Sequence, residues 1–202
     1  LRCSFCYIFV TIYTLMLMFI LSIILFWIII SPSSTKFHVT DASLTQFNLT
    51  SNNTLYYNFK VNVTVRNPNN NIIVYYRRIT AISWYKDNAF GWVSLTPFDQ
   101  GHKNTTFLQA VFEGQRVITL KSKQLGEYKD ETSVGIYKDL AVDFDLRIRA
   151  KYAKFKSSRF NPPVVQCRRL RVPLISNGRS APPFGVTRCN SAYFFSDRDA
   201  DA

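Results

Sequence analysis

The residues of this chain with the means to do chemistry are few: two histidines, four cysteines and some paired acids in 202 residues. His102 follows Asp99 within the polar loop Pro97–Asn104, a pairing that hints at acid–base work. No nucleophile accompanies it, so a turn role for His102 is the simpler reading. Asp143 and Asp145 share one strand face but run straight into Arg147, which reads as surface charge rather than a catalytic dyad. Cys3 and Cys6 have C-x-x-C spacing, yet no second ligand pair exists and the segment enters an apolar run, so zinc is discounted. There is no G-x-S-x-G, no P-loop, no H-E-x-x-H and no G-x-G-x-x-G, and the seven glycines never cluster. The sequence reads as non-catalytic, with no cofactor and no metal.

Modification and binding chemistry is better represented. Four Asn-x-Ser/Thr sequons, at Asn48, Asn52, Asn62 and Asn104, favour a lumenal or extracellular domain. In that compartment Cys167 and Cys189 are expected to form one disulfide, two buried thiols being the alternative. Cys3 and Cys6, at the cytoplasmic edge of a membrane helix, would be palmitoylation targets. Only Arg2 among the 25 basic residues precedes Lys36, so the rest, with all 13 acidic residues, give the later segment a formal charge of about +11. Such a surface seeks an anion: a phospholipid, an acidic polysaccharide or nucleic acid, the last excluded outside the cell. The main binding candidates are Arg147, Arg149 and Lys151 on one strand with Arg168, Arg169 and Arg171 on a later one. If the strands pair, these make one cationic face; a solvated strand face is the alternative.

The elements that must position these residues follow from hydrophobic pattern. Phe5 to Ile30 is almost unbroken apolar sequence with Tyr7 and Trp27 near its ends, long enough for a membrane span. A cleaved leader is opposed by its length and by the bulky Trp-Ile-Ile-Ile before Ser31. The chain opens on Leu1 rather than Met, so residues 1–4 read as the remnant of a cytoplasmic tail, with 31–36 a linker. Beyond Phe37, where the apolar pulses are brief, alternation appears in Phe59-Lys60-Val61-Asn62-Val63-Thr64-Val65. It stops at Asn67-Pro68-Asn69-Asn70-Asn71, a structural turn, and resumes at Ile72–Tyr76. Further strands are expected over 79–86, 107–112, 116–121, 143–152 and 164–174, with a short helix over 124–132. About seven strands with little helix predict an antiparallel β-sandwich over 37–175, followed by a tail over 176–202.

A cysteine-bearing basic remnant, one membrane helix, then ASLTQFNLT, NNTLYYNFKVNVTVRNPNNN and LTPFDQGHKNTTFLQAVFEGQ resemble the plant harpin-induced and non-race-specific-disease-resistance-like proteins. Their ectodomain is of the late-embryogenesis-abundant type-two class. The resemblance runs from Arg2 to Cys189 and implies an all-β, fibronectin-type-III-like sandwich with a short helix. It also implies a plasma-membrane location, a role in pathogen and stress responses, and no enzymatic activity. Asn177-Gly178-Arg179 resembles an adhesion tripeptide without its aspartate, and no adhesion role is carried onto it. The resulting expectation is a single-pass membrane protein whose extracellular sandwich binds unidentified proteins or acidic cell-wall polysaccharide. The alternative is a lipid-engaging module that uses the same basic face.

Overall fold

The structure is a computed structural model, described here for residues 2–30, 32–175, 183–190 and 192–200. It divides into two compact units, Leu1–Ser33 and Ser34–Ala202. The first is helix α1 (Arg2–Ile30), within which Phe5–Phe26 is long and apolar enough to cross a membrane. Tyr7 and Cys6 are exposed on it, and Cys6 is a free thiol. The side chains of Cys3 and Trp27 lie outside the described residues, as does the Asn177-Gly178-Arg179 stretch.

The second unit is an antiparallel β-sandwich, the architecture shared by fibronectin type III domains. One sheet holds β1 (Lys36–Leu49), β2 (Thr54–Arg66) and, later in the chain, β6 (Thr105–Val117), with β2 central. The other is built on β3 (Ile72–Tyr85) and β7 (Ile136–Tyr152), which pair along most of their lengths. β4 (Asn88–Leu95) and the short β5 (Phe98–Gln100) flank β3, while β8 (Phe155–Lys156) and β9 (Val165–Pro173) flank β7. Helix α2 (Ser122–Val134) closes one end, and β10 (Thr187–Arg188) pairs with β1.

Alternation builds the core where it is unbroken. Phe59, Val61, Val63 and Val65 of β2 and Phe144, Leu146 and Ile148 of β7 are all buried. Each large apolar side chain so removed from water contributes roughly 1.5–3 kcal/mol. β1 hides its alternation because register shifts follow Val39 and Leu44, so its buried residues fall at Phe37, Val39, Ala42, Leu44 and Phe47. The expected strands over 72–76 and 79–86 are one strand, broken in pattern by a bulge at Arg77 between Tyr76 and Arg78. The strand expected over 107–112 runs on through Gly114, at φ 149°, and ends at Val117, so the separate strand expected over 116–121 does not form and residues 118–121 lead into α2. The sandwich also extends past residue 175: Phe194 is buried against Phe37 and Tyr76.

The Asn-Pro-Asn run carries the chain from β2 in one sheet to β3 in the other, not around a hairpin. Asn67 is buried, and its side-chain amide donates to the Ile72 carbonyl (2.8 Å) and the Gly101 carbonyl (2.9 Å). Its oxygen accepts from the Asn69 side chain at 2.9 Å. Beside it the buried Gln100 amide donates to the Val65 carbonyl at 2.7 Å. The asparagine-rich run and the Gln-Gly-His-Lys-Asn loop are therefore two halves of one buried polar joint, which satisfies backbone that leaves both sheets.

Candidate functional site

The six basic residues singled out by the sequence lie on or beside the outer face of the second sheet, but in two groups. Residues 168–169 of β9 oppose Ala141 of β7, since Val142 pairs with Cys167 and Leu140 with Leu170. Arg149 is eight residues further along β7, a distance of about 26 Å at the rise of a strand. Between the groups, Asp143 pairs with Arg168 (2.9 Å), and Asp145 with Arg78 (3.4 Å) and Arg198 (3.0 Å). Burial pushes the Asp143 carboxyl above the usual carboxylate range, against the pull of Arg168 and the Trp84 indole.

Both groups owe their geometry to bulges. In β9 the extra residue brings Arg168 and Arg169 out consecutively, Arg169 at φ 57°. In β3 the extra residue does the same for Arg77 and Arg78, both exposed. An arginine doublet interrupting an apolar strand is the sequence signal for such a bulge, which re-aims side chains. Each group also has an aromatic ring. Arg168 lies 5.8 Å from the Trp84 ring, and Tyr75 has Arg77 at 4.9 Å and Lys156 at 5.9 Å, with Arg149 its cross-strand neighbour.

The Trp84 group opens into a groove of about 590 Å³ lined by Trp84, Lys86, Gln124, Glu127, Arg168 and Arg188, among others. A second recess of about 420 Å³ adjoins it, with Arg169 and Arg171 on its wall. No ion pair engages Arg169, Arg171 or Arg188 among the described residues. Arg188 reaches the groove because the Cys167–Cys189 disulfide and paired backbone bonds between Gln166 and Asn190 (2.8 Å each) pin the tail to β9. A two-residue strand within a Pro- and Ser-rich tail gives no period to read, so Arg188 is not visible from sequence.

The opposite wall is acidic and also unforeseen. Lys86 and Asp87, at φ 44° and 68°, form the two-residue turn between β3 and β4. The Lys86 ammonium is buried against Glu127 (2.6 Å), Asp139 (3.2 Å) and Glu131 (3.5 Å). Burial works against its charge, but these carboxylates outweigh burial and hold its pKa above the ordinary lysine value. The Tyr85 hydroxyl donates to Glu131 at 2.8 Å, and Tyr128 and Tyr137 pack with Phe47 behind it. Lysine is seldom buried, so composition offers no hint of this cluster.

The remaining residues are dispersed. Asn48, Asn52 and Asn104 are exposed at strand ends or turns. Asn62 sits mid-strand with its amide engaged by Asp41 (3.3 Å) and Gln109 (2.9 Å). His102 lines a shallow cleft with Asn71, Ile73, Lys151, Tyr152 and Ala153, while Asp99 pairs with Arg77 (3.2 Å) instead. Among the described residues no group of three or more His, Cys, Asp or Glu is arranged to hold a metal.

The family model of the late embryogenesis abundant protein (LEA_2) matches residues 62–166, which include both halves of the buried polar joint. NDR1/HIN1-like protein 10 of Arabidopsis thaliana is 45% identical over 157 residues, covering 77% of this chain and 68% of that protein. The chain belongs to this family. NDR1/HIN1-like proteins 3 and 2 of the same plant are 39% and 34% identical, covering 83% of this chain and 71% and 69% of their own lengths. Membership in the NDR1/HIN1-like LEA_2 family implies a role in plant defence and stress, and suits α1 as a membrane anchor.

Proposed function

We propose that this protein is a non-enzymatic, single-pass plasma-membrane protein whose sandwich faces the outside and binds an extended acidic polysaccharide of the cell wall. The observation that carries the reading is the pair of bulges that turn Arg77–Arg78 and Arg168–Arg169 out on one sheet. These bulges lie six to seven residues apart along β7, about 21 Å, and two cationic stations so spaced, each with an aromatic ring, suit a polyanion that reaches both better than a small anion held at one. Linking the two contacts through one polymer raises avidity without any new contact. Arg77, Arg78 and Arg168 are shared with Asp99, Asp145 and Asp143, so the charge left for an anion is carried by Arg169, Arg171 and Arg188 at one station and by Arg147, Arg149 and Lys156 at the other. An outside location fits the Cys167–Cys189 disulfide and the exposed sequons at Asn48, Asn52 and Asn104, which we take as the glycosylated positions in preference to Asn62. Cys3 and Cys6 would then lie at the inner membrane edge, available for acylation.

The test is binding of the full chain in detergent or nanodiscs to polygalacturonate, read against salt. Binding should weaken as salt rises, and charge reversal at either station (Arg168→Glu with Arg169→Glu, or Arg147→Glu with Arg149→Glu) should weaken it further. Galacturonate monomer should not compete. Binding indifferent to both double variants would sink the reading. Location is checked separately, by glycosidase-sensitive mobility and protease protection in sealed microsomes. Anionic lipid is the second reading, favoured by the residues that continue β7 beyond the Tyr75 station.

A further inference from the structure

The hairpin joining β7 to β8 ends in Lys151-Tyr152-Ala153-Lys154-Phe155-Lys156. Tyr152 pairs with Phe155 and Lys151 with Lys156, leaving a two-residue turn in which Ala153 has φ 48°. Phe155 is 80% exposed and, with Phe107 at 79%, is one of the two most exposed large apolar side chains among the described residues of the sandwich. Its immediate neighbours in the chain, Lys154 and Lys156, are both cationic. No Asp or Glu occurs between Asp145 and Asp197, and Lys151 and Lys156 face each other across the ladder. Like charges directly opposite in a sheet are destabilising, and an outside anion lying between them would relieve the repulsion.

The place of this tip in the sandwich gives the anion a source. Lys36 pairs with Arg66, Asn67 bonds to Ile72, and Ile72 pairs with Tyr152, so the tip is at the end where the chain enters the sandwich. Helix α1 ends at Ile30 and the sandwich unit begins at Ser34, a link that spans at most about 14 Å when fully extended. If α1 is embedded, so short a link tethers this end of the sandwich to the bilayer. An exposed aromatic ring ringed by lysines has the composition of an interfacial anchor: the ring enters the headgroup region while the ammonium groups stay with the phosphates.

From the exposure of Phe155, the opposed lysines and the entry end of the sandwich, we infer that residues 151–156 dock onto the anionic surface of the bilayer that α1 spans. This rests on the anchor reading of α1. Docking would fix the orientation of the sandwich and turn the outer face of the second sheet, with both arginine stations, to a set angle from the membrane.

The full chain in nanodiscs tests this, with Cys3 and Cys6 replaced by serine and a bimane label on Ala153→Cys. Brominated lipid should quench the label in discs of phosphatidylcholine with phosphatidylglycerol. Quenching should fall with Phe155→Ser, with Lys154→Glu and with added salt, and a label on Val117→Cys at the opposite end should stay unquenched. An unquenched label at position 153 in discs that retain the protein would overturn docking while leaving the anchor intact. Quenching that survives both Phe155→Ser and Lys154→Glu would overturn it too, since the tether alone would then explain proximity. Equal quenching in phosphatidylcholine alone would overturn the part assigned to the lysines. A chain that elutes apart from the discs would end the anchor reading and this inference together.

Discussion

Lys86 shows how much a single buried charge can organise. Its ammonium is 3% exposed and holds Glu131, itself buried, together with the half-exposed Glu127 and Asp139. Replacing it with methionine leaves the buried Glu131 carboxylate with the Tyr85 hydroxyl but no counter-charge, and removal of one partner of a buried pair costs roughly 3–5 kcal/mol. The lower end is expected here, because water still reaches Glu127 and Asp139; urea melts of Lys86→Met against the native chain measure it. Its pH dependence has a definite sign. A lysine pKa raised by folding contributes stability below its unfolded value and loses it as pH rises through the folded one. Tyr85 is raised by burial and by Glu131, and Tyr137 is pushed up to about 12 chiefly by burial. All three effects run the same way. Stability should hold through neutral pH and fall from about pH 10 upward, less steeply in Lys86→Met, as followed by thermal melts across that range.

At the scale of elements, α2 shows what a short polar helix needs in order to form. The Lys121 backbone N–H donates to the Gln124 side chain at its start, and Gly135 ends it at φ 75°, its N–H bonding the Glu131 carbonyl at 2.8 Å. A Cβ added at Gly135 would meet no atom within 4 Å, so Gly135→Ala tests backbone conformation alone. It should cost about 1 kcal/mol, seen as a lower urea midpoint with an unchanged slope. Unbroken alternation made β2 and the arginine-bearing half of β7 legible from sequence, down to which residues face the core. Where a bulge shifts the phase, as in β1 and β3, the same chemistry reads as scattered pulses or as two strands. The basic residues of the site were legible by type, but not their grouping. That depends on β9 pairing with the early half of β7 while Arg147, Arg149 and Lys151 occupy the late half. The acidic wall was not legible at all, because it joins acids of α2 and β7 around a lysine in the β3–β4 turn that pattern assigns to solvent.

The whole sandwich depends on a segment that composition alone marks as a loose tail. The Cys167–Cys189 disulfide spans 22 residues and sets Arg188 and Asn190 against the groove. A loop of that size should confer roughly 3 kcal/mol. The double variant Cys167→Ser, Cys189→Ser should therefore melt lower and also bind polygalacturonate less well, as Arg188 leaves its wall; calorimetry and the salt titration read the two effects apart. The same segment has a consequence for how molecules meet one another. Residues 187–190 pair with His38 and Val39 of β1 on one side and with Gln166 of β9 on the other. Those are the outer strands of two different sheets, and each would otherwise offer unpaired N–H and C=O groups to the strand of a neighbouring copy. One short stretch of chain thus seals two templates for strand exchange, and a single sulfur–sulfur bond keeps the seal closed. In a reducing setting this protein would lose more than stability: it would gain two adhesive edges and a route to self-association.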